Sequence, residues 1–357
     1  MSEPSARCWV LNAFDVARAI SLPACRTALH TEEVTAGRRP EWPHLFGLDE
    51  RPLVWSAEPE TIELAGMELV FQPRTIIYDF GSVSVALGCR LPGPVAAWRH
   101  IAEALRNPPA LREVARRVLD RLLDLAGGAI EDPRRPDEVQ QYTVFQLDRV
   151  AAASAGEWVR DDASSIAQVL RGDTVTLADE EVAEALARRI SYSTQDVVVI
   201  DGGAAFIVDD EFDDTLAVID FANCERLAMR ALDDDLDHAI AEASSLLRSR
   251  AWRIKRLISP WGRDVRRLTQ LTFDAAAEFE AVENAIKLTG DHYLARIYRL
   301  TVERLDLRPF REGIARKLSS LWSIQGVFLD QTSSRRAELL EWVIIGLITL
   351  EIVNALR

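Results

Sequence analysis

Acidic side chains are the candidates that this sequence offers for metal-assisted chemistry. Asp201 and Asp209 each follow an apolar run, and Asp234 stands four residues before His238. Residues four apart share one face of a helix, so Asp234 and His238 could hold a metal ion together. A metal-dependent hydrolase would need these groups to converge in one pocket. Because the sequence offers no second ligand pair, we predict neither a metal site nor a cofactor, and the hydrolase is kept as the alternative hypothesis.

A basic cluster between residues 248 and 267 is the second candidate site. Arginine and tryptophan side chains can contact phosphates, either those of RNA or those of anionic lipid headgroups. Asp264 is the only acidic residue in this interval. The sequence therefore predicts an anion-binding tip, and a solvated helix end with salt bridges to acidic residues elsewhere is the alternative. The predicted contact residues are Arg250, Trp252, Arg253, Lys255, Arg256, Trp261, Arg263, Arg266 and Arg267.

The apolar segment 337–356 is the third candidate. A membrane-spanning helix needs about 20 predominantly apolar residues, and this segment is close to that length. An ionised carboxylate at the bilayer centre costs about 3 kcal/mol, but Glu351 stands near one end of the segment, which lowers the cost. A membrane anchor and a buried interface helix in an oligomer are both open. The residues expected in either contact are Glu341, Trp342, Ile344, Ile345, Leu347, Ile348 and Glu351.

Composition narrows the classes of protein that need to be considered. The chain has 357 residues, a hydrophobic content of 48% and a formal net charge of −14. The negative charge argues against nucleic-acid binding over the whole surface. The sequence contains no phosphate-binding loop, no dinucleotide-binding glycine pattern and no nucleophile elbow, and its five histidines match no Ser or Cys triad. We therefore lean against an enzyme and identify no small-molecule substrate.

The cysteines and the N-terminal sequence predict the cellular compartment of the protein. The four cysteines are scattered without a CxxC pair, so single buried thiols in a reducing compartment are predicted: Cys8, Cys25, Cys89 and Cys224. The sequence begins without a positive stretch followed by an apolar run, so we expect no secretory signal. We expect a bacterial, cytoplasmic protein, with the C-terminal helix as the possible attachment to the inner membrane.

A mixed α/β head domain is predicted over residues 1–210, in an α+β protein. Runs rich in β-branched residues indicate strands, and the strongest of these signals is a hairpin around Gly202-Gly203. Apolar residues at helical spacing indicate helices between the strands. The expected strands are 53–56, 68–71, 75–90, 142–147 and the hairpin 196–208, and the expected helices are 95–107, 110–126, 161–170 and 179–190.

A long helical stalk is predicted over residues 211–334. No proline or glycine occurs between residues 213 and 257, and a helix of that length would measure about 65 Å. Ser259-Pro260-Trp261-Gly262 breaks it, and a second helix over 263–287 would make an antiparallel, coiled-coil-like hairpin. Further helix is expected from residue 292 to 305 and again to 328, with an interruption near Pro309. We expect the chain to form a homo-oligomer through this stalk, with residues 335–357 as a separate C-terminal apolar helix.

Several segments, in the same order, resemble the required-for-meiotic-nuclear-division family, also called the YagE family or domain of unknown function 155. The resemblance covers about residues 75 to 357 and departs at Ala231-Leu232, where the family has an aromatic pair. The segments that carry it are Ile76 to Val85, Asp196 to Val208, Ile219 to Leu227, Arg230 to Asp237, and Leu340 to Ile345 with Glu351.

The resemblance implies a C-terminal membrane helix and no known catalytic residue. Eukaryotic members of that family act at the mitochondrial inner membrane in support of organelle translation. Taken with the residue patterns, this predicts a non-enzymatic interaction or scaffold protein. It would self-associate through the stalk, attach to a membrane surface through its last helix, and contact anionic lipid or RNA through the basic tip.

Overall fold

The structure is a computed structural model that describes residues 5–29, 52–248, 262–284 and 291–326, together with residues 345, 346 and 348. Within these ranges, residues 107, 135, 137 and 151–153 are left out of the description. The chain divides into two compact units, which we call the α/β unit and the helical unit. The α/β unit comprises Met1–Ala231 and Glu280–Phe310, and the helical unit comprises Leu232–Phe279 and Arg311–Arg357.

The predicted class, a mixed α and β fold with a sheet-rich N-terminal region and later helices, is confirmed. In the described residues, nine strands form one sheet with the order β3-β5-β6-β1-β8-β11-β10-β9, and β4 pairs with β5. Strands β2 and β7 form a second, small sheet. The strands are β1 Ala6–Asp15, β2 Ala17–Ile20, β3 Leu53–Ser56, β4 Glu60–Leu64, β5 Met67–Ile77, β6 Ser82–Arg90, β7 Ile130–Pro133, β8 Gln140–Leu147, β9 Arg189–Ile190, β10 Val197–Ile200 and β11 Ala204–Val208.

The helices are numbered in chain order. They are α1 Leu22–Ala28, α2 Arg99–Leu105, α3 Pro109–Ala126, α4 Ala155–Asp161, α5 Ala163–Arg171, α6 Asp179–Ala185, α7 Asp213–Arg248, α8 Gly262–Asn284, α9 His292–Arg304 and α10, residues 307–326. The hairpin predicted around Gly202-Gly203 is confirmed as the antiparallel pair β10–β11. Strands β8 and β11 run parallel, whereas the other pairs in the large sheet are antiparallel.

The helices differ from the prediction at three places. The helix expected over 179–190 ends at Ala185, because Arg189 and Ile190 pair with β10 instead. The helix expected over 161–170 is preceded by a separate helix, α4, whose N-cap Ser154 accepts a hydrogen bond from the Glu157 amide. The interruption expected near Pro309 lies at residues 305–306, where Asp306 has a φ of +53°.

One face of the large sheet packs on helices α2, α3 and α5 and forms the main apolar core. Side chains alternate along each strand, so every second residue points to this face. Val10, Val83, Phe145 and Phe206 lie here and are fully buried. All four cysteines are free and buried, as predicted for single thiols.

The opposite face of the sheet is covered by the first part of α7 and by α9. Gly88 makes room there for Trp9, because a Cβ at residue 88 would lie 2.5 Å from the Trp9 ring. Residues 216–229 of α7 are almost all buried. This burial explains why residues 211–231 and 280–310, which the sequence places in the stalk, group with the α/β unit.

The helical unit contains the second part of α7, most of α8 and most of α10. Lys317 of α10 lies 2.7 Å from the carboxylates of both Asp233 and Asp237 on α7. The Gln325 amide of α10 donates a 2.6 Å hydrogen bond to the Thr272 hydroxyl of α8. These polar contacts tie α10 to both other helices within the unit.

Candidate functional sites

An acidic cleft of about 490 Å³ opens in the α/β unit at the carboxyl ends of the parallel strands β8 and β11. Side-chain groups that follow parallel strands meet at one edge of a sheet, which is where open α/β sheets commonly bind ligands. The cleft is lined by Asp148, Arg149, Tyr192, Ser193, Gln195, Asp196, Asp209, Asp210, Glu211, Asp214, Thr215, Asp291, Tyr293 and Leu294.

A buried amide fixes the strand ends beneath this cleft. The Gln146 side chain donates to the Asp148 carboxylate at 2.9 Å and to the Asp209 backbone carbonyl at 2.8 Å. The Asp209 carboxylate accepts a 2.9 Å hydrogen bond from the Glu211 amide. Burial raises the pKa of Asp209, because a charged carboxylate is poorly solvated there.

Asp196 and Asp291 hold the wall of the cleft through hydrogen bonds. Asp196 accepts from the Tyr192 amide at 2.8 Å and from the Tyr293 hydroxyl at 2.9 Å. Burial acts to raise the pKa of Asp196, but the hydrogen bonds from Ser193, Tyr192 and Tyr293 outweigh it and the pKa is lowered. Asp291 caps helix α9 by accepting from the Tyr293 amide at 2.7 Å. Both carboxylates are therefore committed to positioning the backbone.

The lining of the cleft favours cations over anions. It contains seven carboxylates and one guanidinium, that of Arg149. Nevertheless, among the residues that the structure describes, no group of three or more His, Cys, Asp or Glu is arranged to hold a metal ion. The cleft is thus an electronegative surface whose carboxylates do not form a ready-made metal centre.

Asp201 lies at the other end of β11 from Asp209, so the structure does not bring these two predicted residues together. Its side chain is only 3% exposed and is bound by two arginines. Arg304 Nε donates to Oδ1 at 3.0 Å, with a second contact from Nη2, and Arg171 Nε lies 3.2 Å from Oδ2. This clamp joins α5 and α9 to the sheet, which is a structural role.

The predicted pair Asp234 and His238 belongs to the helical unit. His238 Nδ1 contacts the backbone carbonyl of Asp234 at 2.8 Å, which ties the ring to its own helix. Within the α/β unit, the predicted acids Asp201 and Asp209 line different cavities and do not converge in one pocket.

A buried carboxylate that the sequence did not single out is Asp220 on α7. It is 1% exposed and accepts hydrogen bonds from the Ser84 hydroxyl at 2.6 Å and from the Tyr78 hydroxyl at 3.4 Å. Burial raises its pKa from the ordinary value of 3.8 to about 6, against the lowering effect of Ser84 and of nearby Arg74. Asp220 stands in one segment quoted for the family resemblance, and Tyr78 and Ser84 stand in another, so the structure brings these two segments together.

The basic tip falls mostly outside the described residues. Arg266 and Arg267 lie exposed on α8, and Arg267 approaches Glu242 of α7 at 3.9 Å. Arg263 lies in the first turn of α8. The remaining predicted tip residues, Arg250, Trp252, Arg253, Lys255, Arg256 and Trp261, lie outside the described part of the chain.

Three residues of the C-terminal segment are described, and all are helical: Ile345, Gly346 and Ile348. Ile345 is 52% exposed and Ile348 is 51% exposed. The other predicted contact residues there, Glu341, Trp342, Ile344, Leu347 and Glu351, lie outside the described residues. Within the part of the chain that the structure describes, none of the helices combines the length and the apolar character needed to cross a membrane.

Comparisons with known proteins bear on the α/β unit. No solved structure matches the chain. The uncharacterized protein MJ0711 of Methanocaldococcus jannaschii is 23% identical over 224 residues, which cover 61% of this chain and 66% of that protein, just under two thirds of its length. This relative is archaeal and gives no support to the expected bacterial origin. The model of the family described as "Uncharacterized protein MJ0711, N-terminal domain" matches residues 5–215, more than half of the chain, and the chain belongs to that family.

Proposed function

We propose that this protein is a non-enzymatic interaction protein that self-associates through its helical unit. The observation that carries the proposal is the placement of exposed apolar side chains. Nine large hydrophobic residues are exposed in the described part of the chain, and five of them belong to the shorter, helical unit. These five are Leu271, Phe273, Trp322, Ile345 and Ile348. Clustered exposed apolar groups are typical of protein contact surfaces.

Three of these side chains lie on the same pair of helices. Thr272 of α8 is buried and hydrogen-bonded to Gln325 of α10. Leu271 and Phe273 flank Thr272 with exposures of 40% and 73%, and Trp322, which is 59% exposed, stands one turn before Gln325. Leu271 and Phe273 point to opposite sides of α8, because residues two apart on a helix are separated by about 200° around its axis. We call the two aromatic side chains, Phe273 and Trp322, the apolar patch. Aromatic residues of this kind are enriched among the residues that dominate binding energy at interfaces.

A second copy of the chain is the occupant that we propose for the apolar patch. In a two-fold dimer both copies contribute the same surface, so Phe273 and Trp322 of each copy are buried, four aromatic side chains in all. Burying one large apolar side chain is worth about 1.5–3 kcal/mol. Four aromatic side chains can therefore supply enough free energy to offset much of the cost of association.

Sedimentation velocity of the full chain tests the proposal. We expect a concentration-dependent oligomer, and the double variant Phe273→Asp with Trp322→Asp should weaken association by at least about 100-fold. Val175→Asp is the matched control, because Val175 is 61% exposed but belongs to the α/β unit. A full chain that is monomeric at all concentrations, or an oligomer unchanged by the double variant, would refute self-association through this surface.

Membrane attachment through residues 337–357 is the second part of the proposal. It is supported by the apolar sequence of this segment and by the resemblance to the required-for-meiotic-nuclear-division family. Removal of residues 337–357 should move the protein from the membrane fraction to the soluble fraction. An unchanged distribution would exclude the anchor and leave the segment as an interface helix.

Contact of the basic tip with anionic lipid or RNA completes the proposal. It is supported by the concentration of positive charge in a chain of net charge −14. Charge reversal at Arg253, Arg256, Arg263 and Arg266 should abolish binding to acidic vesicles and to RNA, and wild-type binding should weaken as salt is raised. Binding that is insensitive to salt would count against this role.

A further inference from the structure

Two of the four free cysteines lie directly opposite each other on neighbouring strands. In the antiparallel register of β1 and β6, Cys8 pairs with Cys89. Directly opposite residues of two antiparallel strands project to the same face of the sheet, so their side chains meet. Both side chains belong to the apolar core on that face, where Cys8 is 0% exposed and Cys89 is 5% exposed. The sheet thus brings together two thiols from distant parts of the chain.

The spacing of this pair suits a disulfide. The Leu91 amide donates a 2.9 Å hydrogen bond to the Ala6 carbonyl. Because hydrogen-bonded and non-hydrogen-bonded pairs alternate along an antiparallel ladder, Cys8 and Cys89 form a hydrogen-bonded pair, whose Cα atoms are about 5.5 Å apart. Disulfides join Cα atoms that are about 4.4–6.8 Å apart. Burial raises the pKa of Cys8, and contact with the Cys89 thiol raises it further, so the two side chains already interact.

The pair lies close to the end of the ladder between β1 and β6, where a small oxidant gains access. Strand β6 ends at Arg90, and Pro92 cannot extend the ladder because it has no amide hydrogen. The ends of a sheet open more often than its centre. Arg90 is exposed and Cys89 keeps a small exposed area, whereas Cys8 is fully buried. Cys89 is therefore the thiol that an oxidant reaches first.

We infer that Cys8 and Cys89 are a redox-sensitive pair, which hydrogen peroxide converts into a disulfide between β1 and β6. The crosslink joins residues that are far apart along the chain, so it restricts the unfolded chain and stabilises the sheet. Opposite Cβ atoms are about 4.5–5.5 Å apart, slightly more than the 3.5–4.5 Å of a relaxed disulfide, so some strain keeps the bond reducible by thiols. This site is independent of self-association, because both residues belong to the α/β unit.

One molecule of hydrogen peroxide balances the reaction. The Cys89 thiolate attacks a peroxide oxygen, the O–O bond breaks, and Cys89 becomes a sulfenic acid while one molecule of water leaves. The Cys8 sulfur then attacks the sulfenic sulfur, forms the S–S bond and displaces the hydroxyl group as a second molecule of water. The two thiols lose two electrons and two protons, and the peroxide accepts both. Because Cys8 is already in place, the second step is intramolecular and competes with further oxidation of Cys89.

Peptide mapping of the full chain after exposure to millimolar hydrogen peroxide tests the site. The native protein is oxidised, unfolded in the presence of an alkylating agent that blocks the remaining thiols, and digested with trypsin without reduction. Cleavage after arginine gives peptides 8–18 and 75–90, each of which carries one cysteine. The disulfide is detected as a crosslink between these two peptides that disappears on reduction. Cys25 and Cys224 are the internal controls, since both are buried but lie on helices, α1 and α7, without a cross-strand partner.

We expect the crosslink to form in most wild-type molecules while Cys25 and Cys224 stay reduced. The urea midpoint of the oxidised protein should rise and should return to its starting value on reduction. Cys8→Ala should show neither the crosslink nor the rise, and dimedone, which reacts with sulfenic acids, should label Cys89 in this variant. Cys25→Ala is the matched control and should behave as the wild type does.

The wild-type protein alone can overturn the inference, so the test does not depend on the folding of a variant. The pair is not redox-sensitive if its thiols stay reduced while circular dichroism shows a folded protein, or if the crosslink forms only in urea. Oxidation of Cys25 or Cys224 at the same rate would mean that the cross-strand position gives no selectivity. An oxidised protein whose urea midpoint does not rise would refute the stabilising effect of the crosslink.

Discussion

Replacement of the buried carboxyl group of Asp220 should make the protein more stable at neutral pH. Burial raises the pKa of this group from 3.8 to about 6. Each pH unit of difference between the folded and unfolded pKa corresponds to about 1.4 kcal/mol, so the ionised carboxylate lowers the stability by on the order of 3 kcal/mol at pH 7. Asp220→Asn keeps an oxygen that accepts the Ser84 hydrogen bond but removes the charge.

The sign of this effect follows from proton binding. The folded protein binds the Asp220 proton more tightly than the unfolded chain does, so protonation favours the folded state. The contribution is present in full below about pH 4 and is lost as the pH rises through about 6. The difference in stability between Asp220→Asn and the wild type should therefore grow over this window and stay constant above it.

Urea unfolding of the wild type and of Asp220→Asn between pH 4 and pH 8, followed by far-ultraviolet circular dichroism, measures this difference. Other titrating groups are common to both proteins and cancel in the comparison. Carbon-13 NMR of the Asp220 carboxyl group gives its pKa directly. A stability difference that does not change with pH, or a carboxyl group that titrates near pH 4, would refute the reasoning and mean that Arg74 and the hydroxyl groups solvate the carboxylate fully.

Two further predictions concern a glycine and an ion pair. Gly81→Ala should lower the free energy of unfolding by at least about 3 kcal/mol, because Gly81 has a φ of +87° and a Cβ would overlap the Ala17 carbonyl group. Gly66→Ala is the control, because Gly66 has a φ of +75° but open space around it. This control should lower the free energy of unfolding by only about 1–2 kcal/mol in the same urea titration. Arg304→Gln should destabilise the α/β unit by about 2 kcal/mol, because Asp201 keeps only one of its two arginines, and an unchanged urea midpoint would show that one arginine suffices.

Local sequence patterns predicted some of the regular elements, but strands β1, β2, β4 and β7 and helices α1 and α4 were not predicted. The hairpin β10–β11 follows from two β-branched runs around Gly202-Gly203, and α7 follows from 36 residues without proline or glycine. The short strand at Arg189 and Ile190 escaped prediction because a pairing with β10, and not local propensity, makes it extended. A propensity argument sees only neighbours in sequence, so it extended the preceding helix through these residues.

The candidate sites were less predictable, because they join residues that are far apart along the chain. Asp209 was singled out in the sequence, but Asp148, Asp196 and Asp291 reach the same cleft from three other segments. Asp201 was noticed as an acid, but its neutralisation depends on Arg171 and Arg304. No spacing rule relates positions 171, 201 and 304, so the ion pairs of Asp201 could not be predicted from sequence patterns alone.

The two faces of the large sheet have different physical characters, and this difference bears on why Asp220 is present. One face is an apolar core, whose packing tolerates several arrangements of similar volume. The other carries polar pairs between α7 and its neighbours: Asp220 with Ser84, and Glu225 with Tyr298 at 2.6 Å. A rotation or shift of α7 by one residue would leave these buried groups without partners, at a cost of about 1–3 kcal/mol each. We infer that the polar pairs fix the register of α7 on the sheet. The buried charge of Asp220 lowers the stability of the folded protein, but the hydrogen bonds that this carboxylate requires exclude other registers of α7.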